Sequence, residues 1–244
     1  MIAIILCAGR GSRTGLKYPK CLHNFTDGTN LINRNIENLK KCGFRNSQII
    51  LATGFAENLI KKASKSKYVY IKNKKHNSTN MIYTLNEVLK KTKNQDVYVI
   101  YSDIMYDFSC LKKLIVNKKD IVTLVDKDWV KKWKLKKNYL NDLESLKIKK
   151  DKIISLGKKT KNLREIDGRF VGITKFSKKI ITILKDKKII KNELKKDNKL
   201  DFTSFLMNLI KRKYLVNSLL MKIKWFEFDT KYDFNVFTKL YKKF

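Results

Sequence analysis

Ile2-Ala3-Ile4-Ile5-Leu6-Cys7-Ala8-Gly9-Arg10-Gly11-Ser12-Arg13 decides the reading of this chain. An unbroken apolar run of strand length, rather than an alternating one, predicts a strand buried on both faces of a parallel sheet. The run stops at a glycine loop. Gly9 and Gly11 allow close approach of backbone to a ligand. A strand followed at once by such a loop sets backbone N–H groups beside a phosphate chain. Arg10 and Arg13 add charge that neutralises phosphate, and Lys20, after Pro19, adds a compact ammonium further along. The spacing matches neither GxxxxGK[ST] nor GxGxxG. Taken alone, a two-glycine loop is also readable as a mere turn.

Downstream, strands and helices alternate. Leu31–Cys42 reads as a helix ended by Gly43, and Gln48–Ala52 and Tyr68–Ile71 as strands. Asn77-Ser78-Thr79 offers N-caps for a helix over Met81–Lys90. Asp96–Tyr101 reads as a strand with Ser102-Asp103 at its C-terminal end. Leu111–Val116 follows as a helix and Asp120–Val125 as a strand. This alternation predicts an α/β fold with a mainly parallel sheet. The second half changes character. Ser145–Lys149 and Lys152–Leu156 form a predicted hairpin around Lys150-Asp151, and Arg169–Phe176 is a strand. Ile180–Leu184 and Phe202–Ile210 are helical. Leu219–Asp229 reads as one late strand leading into a helix near Tyr232–Tyr241, and Lys185–Lys199 as a mobile surface segment. With no repeat and no linker, the expectation is a single domain over residues 1–244 with a small β-rich insertion.

Composition bounds the function. The chain has 244 residues, 43% hydrophobic and 32% charged, with one proline and nine glycines. That excludes disordered and collagen-like classes. No apolar run approaches a membrane span, and Ile2–Ala8 lacks a basic leader and cleavage site, so the expectation is a cytoplasmic protein. The four cysteines, Cys7, Cys21, Cys42 and Cys110, show no CxxC spacing and signal neither zinc nor disulfides. The net charge is +34, carried mostly by lysines spread from Lys17 to Lys243. Specific nucleic-acid readers favour arginine. The diffuse pattern therefore predicts salt-sensitive polyanion adhesion and no specific nucleic-acid target. A non-catalytic nucleic-acid-binding protein stays as an alternative on charge alone.

The string Ile4–Arg13 followed by Pro19-Lys20-Cys21-Leu22 resembles the N-terminal signature of sugar-phosphate nucleotidyltransferases and small-molecule cytidylyltransferases, an apolar strand, AAGxGxR, then PKxL. Cys7 replaces the first alanine, and Thr14–Tyr18 makes a short loop. Further blocks resemble the branch acting on phosphocholine, 2-aminoethylphosphonate, phosphoglutamine and related small acceptors. They are Thr79-Asn80-Met81, Tyr101-Ser102-Asp103-Ile104, Val125-Asp126-Lys127-Asp128-Trp129, Asp142-Leu143-Glu144, Gly157-Lys158-Lys159 and Thr203-Ser204-Phe205-Leu206. The resemblance implies a Rossmann-like sheet and a Mg²⁺-dependent transfer of CMP from CTP to a phosphate- or phosphonate-bearing amine-type acceptor. It leaves room for another NTP, a sugar-phosphate acceptor, and a homodimer.

By the same resemblance the nucleotide falls to Leu6, Ala8, Gly9, Gly11, Thr79, Asn80 and Lys158, with Arg13 and Lys20 as catalytic cations. Asp103, at the end of a parallel strand, and Asp229, at the end of the late strand, would hold Mg²⁺ between them. Each aspartate also reads as a helix cap. Asp126, Trp129, Trp133 and Glu144 are the acceptor candidates. The tryptophans would stack on a cationic head group or pack in the core, and Asp126, Asp142 and Glu144 would bind an ammonium or balance surface lysines. Thr79 is either a ligand group or a cap, and Lys158 either a phosphate lysine or a solvated one. Asp107 and Asp233 read as exposed turn residues, and His23 and His76 as isolated.

Overall fold

The computed structural model describes residues 1–240, without the side chains of Arg13 and of residues 238–240. Strand β1 (Ile2–Cys7) is buried at every position. Its side chains alternate between two cores: Ala3, Ile5 and Cys7 on one face, Ile2, Ile4 and Leu6 on the other. An unbroken apolar run is therefore what a strand with two covered faces requires. Parallel neighbours flank it, β2 (Ile49–Thr53) and β4 (Val97–Tyr101), and β3 (Val69–Lys72) lies outside β2. Beyond β4 the order continues through β9 (Arg169–Phe176), β6 (Ile121–Asp126), β10 (Asn217–Met221), β8 (Lys152–Lys159) and β7 (Glu144–Lys149). β9 runs antiparallel to both β4 and β6, whereas β6 and β10 are parallel. The predicted α/β architecture, a mixed and mainly parallel sheet flanked by helices, is the one observed.

Helices α1 (Leu31–Lys41), α2 (Glu57–Ala63) and α4 (Phe108–Val116) cover one face. Helices α3 (Met81–Leu89), α6 (Lys178–Asp186), α7 (Ile189–Lys196) and α8 (Phe202–Lys211) cover the other. Short α5 (Trp129–Trp133) follows β6, and α9 (Lys231–Leu240) closes the described chain. Among the described residues no helix is long and apolar enough to cross a membrane.

The structure corrects several expectations. The late strand Leu219–Asp229 is two strands. β10 belongs to the main sheet, and β11 (Trp225–Glu227) pairs with β5 (Ile104–Tyr106) in a separate antiparallel ribbon. Asp126 makes the break. It is fully buried, and its carboxylate accepts from Ile223 N (3.1 Å), Asp128 N (3.1 Å) and Trp225 Nε1 (2.9 Å), while Lys132 Nζ lies at 2.5 Å. Asp126 is thus a structural anchor rather than an acceptor ligand, because its acceptor sites are taken up by the fold. Trp129 and Trp133 are 3% and 1% exposed and belong to the core. Trp133 packs on Trp225 with ring centroids 5.6 Å apart.

The Lys185–Lys199 segment is ordered: α7 buries Ile189, Ile190 and Glu193, the last bonded to Asn208 Nδ2 at 2.8 Å and to Arg212. Two isoleucines and a paired carboxylate outweigh the lysine density that suggested mobility. The cap of α3 is Asn80, whose Oδ1 accepts from Met81 N, one residue beyond the predicted capping cluster. Asp233 is buried rather than exposed, at 2%. Breaking a buried, hydrogen-bonded ion pair by removing one partner costs about 3–5 kcal/mol. Asp126→Ala is expected to lower the unfolding free energy by that order, measured by urea denaturation, and an effect below about 1 kcal/mol would remove Asp126 as the anchor of the β10–β11 turn.

Candidate active site

The glycine loop leaves the C-terminal end of β1, the edge at which open α/β sheets bind ligands. Gly11 has φ +68°, and a Cβ there would lie 2.9 Å from Lys20 Cγ. Only glycine meets both constraints, so the loop backbone packs directly on the Lys20 stem. Thr14 Oγ1 donates to Gly11 O at 2.8 Å and fixes the turn over Ser12–Thr14. Arg10 lies over the Phe55 ring at 5.3 Å. The Arg13 side chain lies outside the described residues. Leu6, Ala8, Gly9, Thr79 and Asn80 converge with Asn73 and His76 around one small cavity. Thr79 Oγ1 accepts from Asn73 Nδ2 (3.0 Å) and donates to Lys75 O (2.7 Å), so it is not a cap. Lys158 stands exposed on β8 and is absent from the described lining of both this cavity and the cleft beside it.

Asp103 and Asp229 meet although 126 positions separate them in sequence. The β5–β11 ribbon pairs Glu227 with Ile104, and Phe228 N donates to Asp103 O at 2.9 Å. Lys20 Nζ then lies 2.5 Å from Asp103 Oδ2 and 3.2 Å from Asp229 Oδ1. Burial opposes the Lys20 charge, but the two aspartates outweigh it and raise its pKa. Asp229 Oδ2 also receives Lys136 Nζ at 2.8 Å, with Glu227 Oε2 at 4.0 Å from the same nitrogen. Asp233 Oδ2 accepts from the backbone N–H of Asp229 and of Thr230, both at 2.8 Å, and holds this corner.

Two groups here escaped the sequence. Glu227 stands two positions before Asp229 in Trp-Phe-Glu-Phe-Asp, and alternation along an extended run was the signal that could have found it. Burial first, and then Asp229, raise the Glu227 pKa. Lys136 is one of several lysines between positions 131 and 137, and nothing in the sequence separates it from its neighbours.

One ligand atom each from Asp103, Glu227 and Asp229 lies within 4.8 Å of the others, and Asp103 Oδ1 is buried without a hydrogen-bond partner. Three hard oxygen donors and an orphaned carboxylate oxygen fit a divalent cation such as Mg²⁺. Beside them opens a cleft lined by Asp142, Glu144, Arg169, Asp201 and Thr203 together with Glu227 and Asp229. Glu144, the one acceptor candidate of the four placed in it, has its pKa raised by burial, against which Arg169 acts.

A glycine loop seated on a buried lysine, facing one carboxylate beyond the end of a parallel strand and two more from the β5–β11 ribbon, defines a nucleotidyltransferase. The chain belongs to the MobA-like NTP transferase domain family, whose model matches residues 3–160. It is 31% identical over 252 aligned positions to the CTP:phosphoglutamine cytidylyltransferase of Campylobacter jejuni, covering 97% of this chain and 98% of that protein. Among solved structures, the inositol-1-phosphate CTP transferase from T. maritima superposes with TM-score 0.75 at 17% identity, covering 98% of this chain and 96% of that one. The CTP:phosphocholine cytidylyltransferase from Streptococcus pneumoniae gives 0.68 at 20% identity, with 98% of each chain covered. These two show the shared fold.

Lys136 neutralises carboxylates that are costly to desolvate together. Lys136→Met is expected to destabilise the protein by about 3 kcal/mol in urea denaturation with chelator present. Unchanged stability would mean that the carboxylates do not depend on this ammonium.

Proposed function

We propose that this enzyme transfers CMP from CTP to a small acceptor bearing a phosphate or phosphonate and releases pyrophosphate. The observation that carries the reading is the convergence of Lys20 with Asp103 and Asp229 beside the Gly9–Gly11 loop. The name of the 31%-identical relative supports CTP as donor and a phosphorylated acceptor. In this reading the loop backbone and the cavity at Leu6, Ala8, Gly9, Thr79 and Asn80 take the nucleotide.

An acceptor phosphate oxygen is already anionic near neutral pH, so no general base is required. It attacks the α-phosphorus of CTP. A new P–O bond forms to the acceptor, the bond to the bridging α–β oxygen breaks, and pyrophosphate leaves with that electron pair. Lys20 neutralises charge on the triphosphate, and its two carboxylate partners hold the ammonium in one place, so little reorganisation is needed at the moment of reaction. Arg13 adds a second loop cation. Asp103, Glu227 and Asp229 would hold Mg²⁺, which supplies Lewis-acid neutralisation of phosphoryl charge when bound.

The test is a screen of four NTPs and a set of phosphorylated acceptors with Mg²⁺, read by pyrophosphate release and mass spectrometry of the product. A CMP-linked product is expected; pyrophosphate release with another NTP only would replace the nucleotide assignment. Asp103→Asn and Asp229→Asn are each expected to lower turnover at least about tenfold, ~1.4 kcal/mol of transition-state stabilisation. Near-normal Mg²⁺-dependent turnover in either variant removes that residue from the metal site. Gly11→Val, which strains the loop and displaces Lys20, should abolish CTP binding in calorimetry, whereas Lys20→Ala should cut the rate more than the affinity.

A further inference from the structure

The cleft beside the carboxylates has a strongly asymmetric lining. Its described residues include five carboxylates and one cation, Arg169. Arg169 opens β9 opposite Asp126 and is only 9% exposed. Its guanidinium lies 4.1 Å above the Trp133 ring, and Lys136 Nζ lies 4.3 Å from the same ring. Its Nη2 is 3.6 Å from Asp142 Oδ2, too long for a full hydrogen bond. Its Nη1 is buried without a hydrogen-bond partner. Leaving such a donor unpaired is costly, and an arginine fork matches a carboxylate in shape and charge. Burial raises the pKa of both Glu227 and Glu144, and the charge of Arg169 acts against that rise in each.

We infer that the acceptor carries an amino-acid head group, with Arg169 binding its carboxylate and Glu144 its ammonium. This rests on the cytidylyl-transfer reading and deepens it to a substrate class. A single buried cation set beside acidic side chains complements a zwitterion. A quaternary ammonium wants an open aromatic face. The Trp133 indole already carries Arg169 and Lys136 and Trp129 is buried, so neither tryptophan offers one; Tyr101 and Phe170 also line the cleft, which makes phosphocholine the comparison acceptor that the test has to include. Thr203 and Ser204 tie the neighbouring Asp201 into the N-terminus of α8, with Ser204 N at 2.8 Å and Thr203 Oγ1 at 3.0 Å. Of the other lining carboxylates, Glu227 and Asp229 belong to the metal-directed group and Asp142 faces Arg169 at 3.6 Å, so the ammonium is assigned to Glu144.

The experiment uses acceptor pairs that differ only by the carboxylate: O-phosphoserine against phosphoethanolamine, and glutamine phosphorylated on its side-chain amide against its decarboxylated counterpart. Phosphocholine is added to the panel, and CTP binding is measured separately by calorimetry. In at least one pair the carboxylate-bearing member should have a kcat/KM higher by about 10²-fold, expressed mainly in KM. Arg169→Gln and Arg169→Lys should collapse that ratio towards one. Equal rates within both pairs, phosphocholine as the best acceptor, or an Arg169 variant that slows both members of a pair equally would overturn the inference. The last outcome would assign Arg169 to the reacting phosphate instead. CTP binding without transfer to either carboxylate-bearing acceptor overturns the inference and leaves the nucleotide reading standing. Absence of CTP binding overturns the nucleotide reading itself.

Discussion

The site depends on one electrostatic constraint: three carboxylates from two distant parts of the chain share a largely dry pocket. Asp103, Glu227 and Asp229 place ligand oxygens within 4.8 Å of one another. Like charges this close and this poorly solvated repel unless cations are built in among them. Lys20 and Lys136 supply those cations from two further parts of the chain. Every local feature around the site serves this meeting. Gly11 lacks a side chain because the Lys20 stem runs against it, and Asp233 spends its carboxylate on the Asp229 and Thr230 backbone.

The ribbon of β5 and β11 carries two of the carboxylates to the third, and it stands on a second buried carboxylate system. Asp126 turns the chain out of the main sheet after β10 by accepting from Ile223 N and Trp225 Nε1. Trp225 in turn packs on Trp133, which underlies both Arg169 and Lys136. One indole therefore fixes the height of two cations, one directed at the carboxylate triad and the other at the cleft. A residue that reads in sequence as a ligand-stacking aromatic acts as the platform beneath the charged groups.

What was legible in the sequence follows from how local each signal is. β1 and its glycine loop were readable because an unbroken apolar run and two closely spaced glycines are local facts. The β7–β8 hairpin and β9 were readable for the same reason. Asp103 and Asp229 were found as strand-end carboxylates, and the structure brings them together. Glu227 is harder to see although it lies two positions from Asp229 in the same extended run, because alternation along a strand marks burial and not chemistry. Lys136 could not be singled out, because its distinction is a tertiary contact invisible in a lysine-rich run. Asp126 misled for the converse reason. A carboxylate at the C-terminal end of a parallel strand marks a ligand site on average, but this one meets two backbone N–H groups and an indole first. The break between β10 and β11 was hidden because two short strands joined by a bend have the same alternation as one long strand.

The charge of the whole chain and the charge of the site have opposite signs, and the two act over different distances. A net charge of +34 spread over exposed lysines makes a long-range field that draws polyanions in and is screened within about 10 Å at moderate salt. Inside the cleft the charged residues of the described lining are carboxylates apart from Arg169. An anion drawn to the surface by the lysines finds no general welcome there. It meets carboxylates at contact distance, where screening is weak, and can settle only where Lys20, Lys136, Arg169 or a bound cation neutralises it. Encounter is then indifferent to the identity of the anion, and selection falls to a few fixed cations. That division lets a surface of generic lysines coexist with a selective site.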